Sequence, residues 1–345
     1  MAGINLTLNQ MNKKLVWSYW QSLNANPSNF AEIIDTNFAK DAFWNGPHPF
    51  NLVEGREAIA QTVWGALIGA FPDLHRRPYM FLGGQYLGET GEEEYWVSGH
   101  GDFIGTFAND FLNIPANGQS IRMRFGEFCR VKDGKIIEVY TLFDIVSLIS
   151  QAGFEVLPSG PGTPLWVPGP SNGRALLLEK QPVEESRTSI EILENMLFKG
   201  MQYNKENAEN PTMDGYWTHD MVWHGPHGIG SAFGLDEFYE RAQKPIVRGY
   251  PDRIGAFHKA RFGEGHCICM GGLRTLQGTH TGEIFGIPPT GRRVHWKIMD
   301  FYTRRERKLF ENWVMIDIPY ACIQSDVDLF VRIDEMKKLR SGAAT

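Results

Sequence analysis

The sequence predicts an α+β protein made of two similar halves, and three observations carry that reading. The first is an internal repeat. Phe43-Trp44-Asn45-Gly46-Pro47-His48 returns as Val222-Trp223-His224-Gly225-Pro226-His227, an offset of 179 that also relates Phe71-Pro72-Asp73 to Tyr250-Pro251-Asp252. From Gly105-Thr106 and Gly278-Thr279 onward the offset is 173, and it holds through Ile114-Pro115 with Ile287-Pro288, Glu138 with Glu311, and Asp144 with Asp317. A shared order of motifs over roughly 100 residues per copy is the mark of a duplication. The second observation is the order of periodicities, helical first and strand-like afterwards. The third is Asp133-Gly134 between Cys129-Arg130-Val131 and Ile136-Ile137, a strong two-residue hairpin signal. Helices segregated from an antiparallel sheet make an α+β domain.

The copies run from Met11 to Phe154 and from Arg187 to Arg340. In the first, Leu8, Met11, Leu15, Tyr19 and Leu23 recur at helical spacing, as Ile192, Met196 and Gly200 do in the second. A second helix is expected through Ile59, Val63 and Leu67, stopping before Phe71-Pro72, and its counterpart from Leu235 to Arg248. Strands fill the rest of each copy, with Arg305-Glu306 read at the position of the Asp133-Gly134 turn. The six-residue change of offset points to a longer hairpin around Glu89-Thr90-Gly91-Glu92-Glu93-Glu94 in the first copy. Residues 155–186, rich in Pro and Gly from Leu157 to Pro170, read as a semi-rigid linker. Ser325 to Arg340 reads as an amphipathic helix with Val327, Phe330, Val331 and Ile333 inward.

Composition narrows the function classes. A chain of 345 residues with 42% hydrophobic and 21% charged residues is ordinary globular material. A net charge of −6 leaves no basic surplus for a phosphate backbone, so a nucleic-acid partner is disfavoured. No apolar run reaches the ~18 residues of a membrane span, and Met1 to Gln10 lacks the pattern of a secretory leader. Cys129, Cys267, Cys269 and Cys322 are too few for a disulfide framework, which suggests a reduced, cytoplasmic protein. His224-x-x-His227 and His266-Cys267-Ile268-Cys269 are the only tempting metal patterns; neither has a matching second pair, and no metal is expected.

The hairpin also predicts which side chains share a face. Without a bulge, a two-residue turn at Asp133-Gly134 sets Glu127 opposite Tyr140, Phe125 opposite Leu142 and Met123 opposite Asp144. The same register in the second copy lines Trp296, Ile298, Asp300, Trp313, Met315 and Asp317 along one side. Arg122, Arg124, Phe143, His295, Lys297 and Ile316 would then lie on the outer face. Each copy so acquires an apolar, aromatic face with two acids about 13 Å apart. A lone carboxylate against such walls is a candidate acid/base, because desolvation raises its pKa. The same residue satisfied by backbone or a nearby cation would be structural.

Gly278-Thr279-His280-Thr281-Gly282-Glu283-Ile284-Phe285-Gly286-Ile287-Pro288-Pro289-Thr290-Gly291-Arg292-Arg293-Val294, followed by Glu311-Asn312-Trp313-Val314-Met315-Ile316-Asp317, resembles the SnoaL-like polyketide cyclase family of the nuclear transport factor two-like superfamily. Trp223-His224-Gly225-Pro226 fits the same family, and the first copy is a weaker match in which Phe107 stands for His280 and Asn45 for His224. The resemblance implies two cone-shaped, cystatin-like domains, each a curved antiparallel sheet wrapped over N-terminal helices with a pocket between. It implies intramolecular aldol chemistry without metal or organic cofactor. It maps the acid/base onto Asp317, and onto Asp144 in the first copy. It places polar pocket residues at His224 and Asn45, and it brings a tendency to dimerise through outer sheet faces, here available within one chain; further homo-oligomers are compatible with it.

The chemistry expected is proton abstraction from carbon α to a carbonyl of a small apolar compound. Asp317 would take the proton, His280 or His224 would stabilise the enolate oxygen, and Trp223, Trp296, Asp300, Trp313 and Met315 would hold the ligand. The first-copy equivalents are Trp44, Asn45, Glu127 and Tyr140. Epoxide hydrolysis would need an Arg beside the acid on one face, whereas Lys297 lies opposite Asp300. A non-catalytic binder or assembly module of the same fold is the alternative.

Overall fold

The computed structural model describes residues 5–88, 91–164, 166–201, 213–255 and 257–342. The first copy opens with helices Leu6–Ala25 and Phe30–Asn37, the former capped by the Asn5 side chain on the backbone N–H of Thr7 and Leu8. Strands β1 (Phe38–Asn45) and β2 (Leu52–Glu54) follow, then a helical stretch from Arg56 to Ala70. The long strands are β3 (His75–Leu87), β4 (Glu93–Thr106), β5 (Ser120–Lys132) and β6 (Lys135–Phe143), and helix Ile145–Gln151 closes the copy. The tip of the acidic hairpin, Glu89-Thr90, lies outside the described residues.

The second copy repeats this order. Helix Val183–Asn195 continues to Gly200, and β7 (Trp217–His224) and β8 (Ala232–Phe233) precede a helical stretch from Gly234 to Gly249. Strands β9 (Ile254–Gly255), β10 (Ala260–Glu264), β11 (Cys267–Thr279), β12 (Arg293–Arg305) and β13 (Lys308–Ile316) come next, then helices Ile318–Gln324 and Leu329–Arg340. In the last helix Leu329, Phe330 and Ile333 are buried, but Val331 faces solvent, contrary to expectation. No described helix is long and apolar enough to cross a membrane.

Both sheets are mixed rather than purely antiparallel. The order is β2-β1-β6-β5-β4-β3 in the first and β10-β11-β12-β13-β7-β8 in the second. The first strand of each copy pairs parallel with the last, β1 with β6 and β7 with β13. The whole copy lies between those strands, which supplies the long connection that parallel pairing requires.

The expected side-chain register fails by one residue, for a local reason present in both copies. Next to the turn Lys132 pairs with Lys135 and Val131 with Ile136, as a two-residue hairpin demands, but then Arg130 pairs with Glu138. Ile137 is the extra residue of a β-bulge. In the second copy the turn is Glu306-Arg307, one residue later than read from the sequence, and Phe310 is the extra residue between the Arg304–Leu309 and Thr303–Glu311 pairs. A bulge shifts every later side chain of its strand to the other face. Met123, Phe125 and Glu127 therefore share the inner face with Thr141 and Phe143, while Tyr140 and Leu142 point outward. Trp296, Ile298 and Asp300 are joined inside by Asn312, Val314 and Ile316, while Trp313 and Met315 move outside with Met299 and Phe301. Phe143 and Ile316, expected outside, are core residues.

The outer faces meet. Phe128, Tyr140, Leu142, Met80 and Trp96 of the first copy and Met299, Phe301, Trp313, Met315 and Phe262 of the second form one buried apolar cluster, with Cys267 and Cys269 inside it. Gly126 lets the faces approach closely: a Cβ there would lie 2.7 Å from the Met315 methyl, which would have to move. The linker packs rather than hangs, since Thr163 bridges to Ser231 and Leu176 to Phe81.

Candidate functional site

Asp144 and Asp317 do not sit on the inner sheet faces. Each lies just past its last strand, as the N-cap of the following helix. Asp317 is fully buried; its Oδ1 accepts from the Tyr320 N–H at 3.1 Å, and its Oδ2 accepts from the His48 N–H of the other copy at 2.8 Å. The Lys297 ammonium is 3.2 Å from the same Oδ2 and donates onward to the Gly46 carbonyl at 2.8 Å. Asp144 mirrors this, accepting from Ser147 N–H at 3.2 Å and from the His227 N–H of the second copy at 3.0 Å. Arg124, the counterpart of Lys297, donates to the Gly225 carbonyl at 2.6 Å. Burial raises the Asp317 carboxyl, and Lys297 and the two backbone donors oppose that rise. These acids pin the copies together, and their oxygens are already occupied.

A larger cleft of about 600 Å³ lies between the copies, with Arg122, Arg124, Asp144 and His227 in its walls. Its charged groups are already matched: Arg122 pairs with Asp102, and Arg124 with backbone carbonyls.

The expected histidines are also elsewhere. His280 is buried, stacked on Tyr250 with centroids 5.4 Å apart, and its Nδ1 is 3.1 Å from the Thr290 hydroxyl. Trp296 lies beneath the same ring, 5.3 Å from Tyr250. His224 and His100 both stack on Trp313, at 5.2 and 5.1 Å, in the contact between copies. Burial drives His224 down to about 3, with Arg124 adding to the effect. A buried neutral imidazole stabilises the fold above the unfolded pKa and loses that contribution as pH falls below ~6.5, because the unfolded chain binds the proton first. His224→Asn, the residue the first copy carries at Asn45, is expected to flatten the loss of thermal stability between pH 6.5 and 4.5. The expected difference is about 2 kcal/mol at the acid end, read by calorimetry; parallel curves would refute it.

The second-copy cone holds a separate cavity of about 410 Å³ between the sheet and the helices. Trp217, Trp223, Phe238, Met196, Met270, Ile298, Val314 and Ile316 make it apolar, and Asp300, Asn312, Tyr302, Thr275 and His258 supply polar groups. Of the expected site residues it brings together Asp300 and Trp223. Asp300 faces Val314 across the sheet, and Asn312 reaches its Oδ1 at 3.2 Å. Burial pushes the Asp300 carboxyl up to about 7, although hydrogen bonds from Asn312 and Tyr302 pull the other way. No cation pairs with it among the described residues. No described group of three or more His, Cys, Asp and Glu side chains forms a metal cluster.

The first-copy cone is plugged. Glu127, the counterpart of Asp300, is clamped by Arg76 at 3.1 and 3.2 Å, by the Trp20 indole N–H at 2.6 Å and by the Thr141 hydroxyl at 3.2 Å. Arg76 lies 4.3 Å from the Trp20 ring and 4.8 Å from that of Phe125. In the second copy Ile298 and Leu276 stand where the first has Phe125 and Phe103, and the bulk that fills one cone is absent from the other. Trp44 donates to Thr141 at 3.0 Å as part of that core, Asn45 is buried at its edge, and Tyr140 faces outward, its hydroxyl 2.7 Å from Glu138.

Asn312, Tyr302 and His258 are cavity residues that escape sequence reasoning. Asn312 follows from the bulge, whose only trace is the adjacent apolar pair Leu309-Phe310, matched by Ile136-Ile137, while Tyr302 continues the alternation of Asp300 on β12. His258 carries no local pattern.

The chain is similar to several solved structures. The structure of a SnoaL-like polyketide cyclase from Agrobacterium tumefaciens is 19% identical, covering 41% of this chain and 96% of that one at a TM-score of 0.32. IdmH from Streptomyces antibioticus is 23% identical over 41% of this chain and 97% of its own, with a TM-score of 0.33. A SnoaL-like protein of Jannaschia sp. CCS1 is 16% identical over 43% and 94%, with a TM-score of 0.35. No curated protein matches the chain significantly. The family model of the SnoaL-like polyketide cyclases matches residues 18–152 and again 202–319, one segment in each copy. The chain belongs to the SnoaL-like polyketide cyclase family.

Proposed function

We propose that the second copy binds a small apolar carbonyl compound in its cone and carries out cofactor-independent acid/base chemistry on it, with Asp300 rather than Asp317 as the proton carrier. The observation that carries this reading is a buried carboxyl, pushed up to about 7, in an open apolar cavity. Ionised Asp300 would take a proton from carbon α to the carbonyl, and the electron pair would pass to the carbonyl oxygen. The enolate would then attack a second carbonyl, whose oxygen takes the proton back from the Asp300 O–H as the C–C bond forms, or be reprotonated at another carbon by the same O–H. Asn312 orients the carboxylate, and Trp223, Met270 and Phe238 exclude water. The first copy, its cone filled, serves as the internal partner whose outer sheet face completes the fold. Four free, buried cysteines favour a reduced compartment such as the cytoplasm.

The test is deuterium exchange at the α-carbon of simple aryl ketones and β-keto esters in D2O, followed by proton NMR. Acceleration by the wild-type chain should fall about 100-fold in Asp300→Asn. Its rate should rise with pH and level off above about 7, because the base must be ionised. Binding without any accelerated exchange would favour the non-catalytic alternative, and undiminished exchange in Asp300→Asn would exclude the assignment.

A further inference from the structure

We propose that His258 holds the ligand's carbonyl oxygen in the second-copy cavity, donating from Nε2, and that Arg261 is the residue that positions it. This rests on the reading of Asp300 as the proton carrier and supplies the donor that reading lacks, since His280 and His224 lie outside the cavity. His258 sits just ahead of β10 and lines the cavity. The Arg261 guanidinium is 3.1 Å from its Nδ1. A guanidinium only donates, so Nδ1 must be the accepting nitrogen and the ring proton must sit on Nε2. No described protein group bonds Nε2.

Arg261 is itself fixed. Its Nε and Nη2 donate to Glu194 at 3.1 and 2.9 Å, and its plane lies 5.1 Å from the Phe198 ring and 5.5 Å from that of Tyr86. Glu194, Arg261 and His258 thus form a relay that selects one tautomer. Burial drives His258 down to about 3, with Arg261 adding to the effect, so the ring stays neutral at working pH. A neutral donor stabilises a developing enolate without adding a positive charge to the cavity that holds Asp300.

The cavity suits one ligand class. β10, which His258 precedes, and β12, which carries Asp300, flank β11 in one sheet, so both residues line the same cavity. Trp223 and Phe238 give it apolar surface that accepts a flat body. The cavity of about 410 Å³ suits an aryl ketone of one or two rings or an aryl β-dicarbonyl compound.

2-Naphthol, a stable mimic of an enol, and naphthalene, its counterpart without oxygen, are the probes. With the full chain labelled on histidine nitrogen, long-range proton–nitrogen NMR at pH 7 should show His258 protonated at Nε2 before any ligand is added. 2-Naphthol should move that Nε2 proton downfield and naphthalene should not. The affinity ratio of 2-naphthol to naphthalene should drop about tenfold in His258→Leu. Arg261→Gln should give mixed tautomers with the fold retained, and Asp300→Asn should leave the tautomer unchanged. A proton on Nδ1 in the free protein would overturn the relay, and so would bound 2-naphthol that leaves the His258 resonances unmoved while Asp300-dependent exchange persists. Failure of both probes to bind would instead overturn the cavity reading on which the inference rests. Should His258→Leu not fold, the wild-type spectra alone decide.

Discussion

Asp300→Asn is expected to make the protein more stable at pH 8.5 even as it removes the proposed chemistry. The sign follows from burial. An aspartate whose carboxyl sits at about 7 in the fold and near 3.8 in the unfolded chain destabilises the fold when it ionises inside the cavity. That penalty is absent below about pH 4, grows as pH rises between the two values, and is complete above about 7. The gap between the two values corresponds to about 4 kcal/mol as an upper bound. The amide that replaces the carboxyl stays neutral, and its oxygen can still accept from Asn312, so about 2–4 kcal/mol of stabilisation should appear at pH 8.5 and almost none at pH 4. Calorimetry of the two proteins across that range reads the difference directly. A variant no more stable than wild type at alkaline pH would mean that Asp300 is hydrated or paired in solution.

The same residue shows how much is legible from the chain alone. The duplication, the α+β class and the helix-then-strand order follow from repeated motifs and periodicity, because those depend on residues close in sequence. The hairpin register and the structure agree on the face of Asp300, because β12 carries no extra residue, whereas Trp223 enters through the repeated motif, which says nothing of its face. The register misplaces Trp313, Met315, Tyr140 and Leu142 because one unpaired residue, Phe310 or Ile137, inverts the strand beyond it. A bulge costs little and leaves only an apolar doublet in the sequence. The parallel pairing of β1 with β6 is also invisible locally, since it joins residues about a hundred positions apart. The two family-mapped acids are misjudged for a different reason: the partner that satisfies each comes from the other copy, and no pattern within one copy announces it.

That cross-copy arrangement carries the second large expectation. Asp317→Asn should cost about 3–5 kcal/mol at pH 7, because it leaves the Lys297 ammonium buried without its counter-charge. Asp144→Asn should cost less, about 1–2 kcal/mol, since its two contacts are backbone donors that an asparagine oxygen can partly keep. Hydrogen exchange at the His48 amide should quicken in the first variant and at the His227 amide in the second, marking where the copies loosen. A loss of activity in Asp317→Asn would not by itself separate catalysis from folding. The double variant Asp317→Asn with Lys297→Met does, because it removes both charges and replaces the ammonium by an apolar chain of similar length. If Asp317 is a structural pin, most of the stability and the α-proton exchange should return together. If it moves the proton, stability should return while exchange stays lost, and the role assigned to Asp300 would have to be given up.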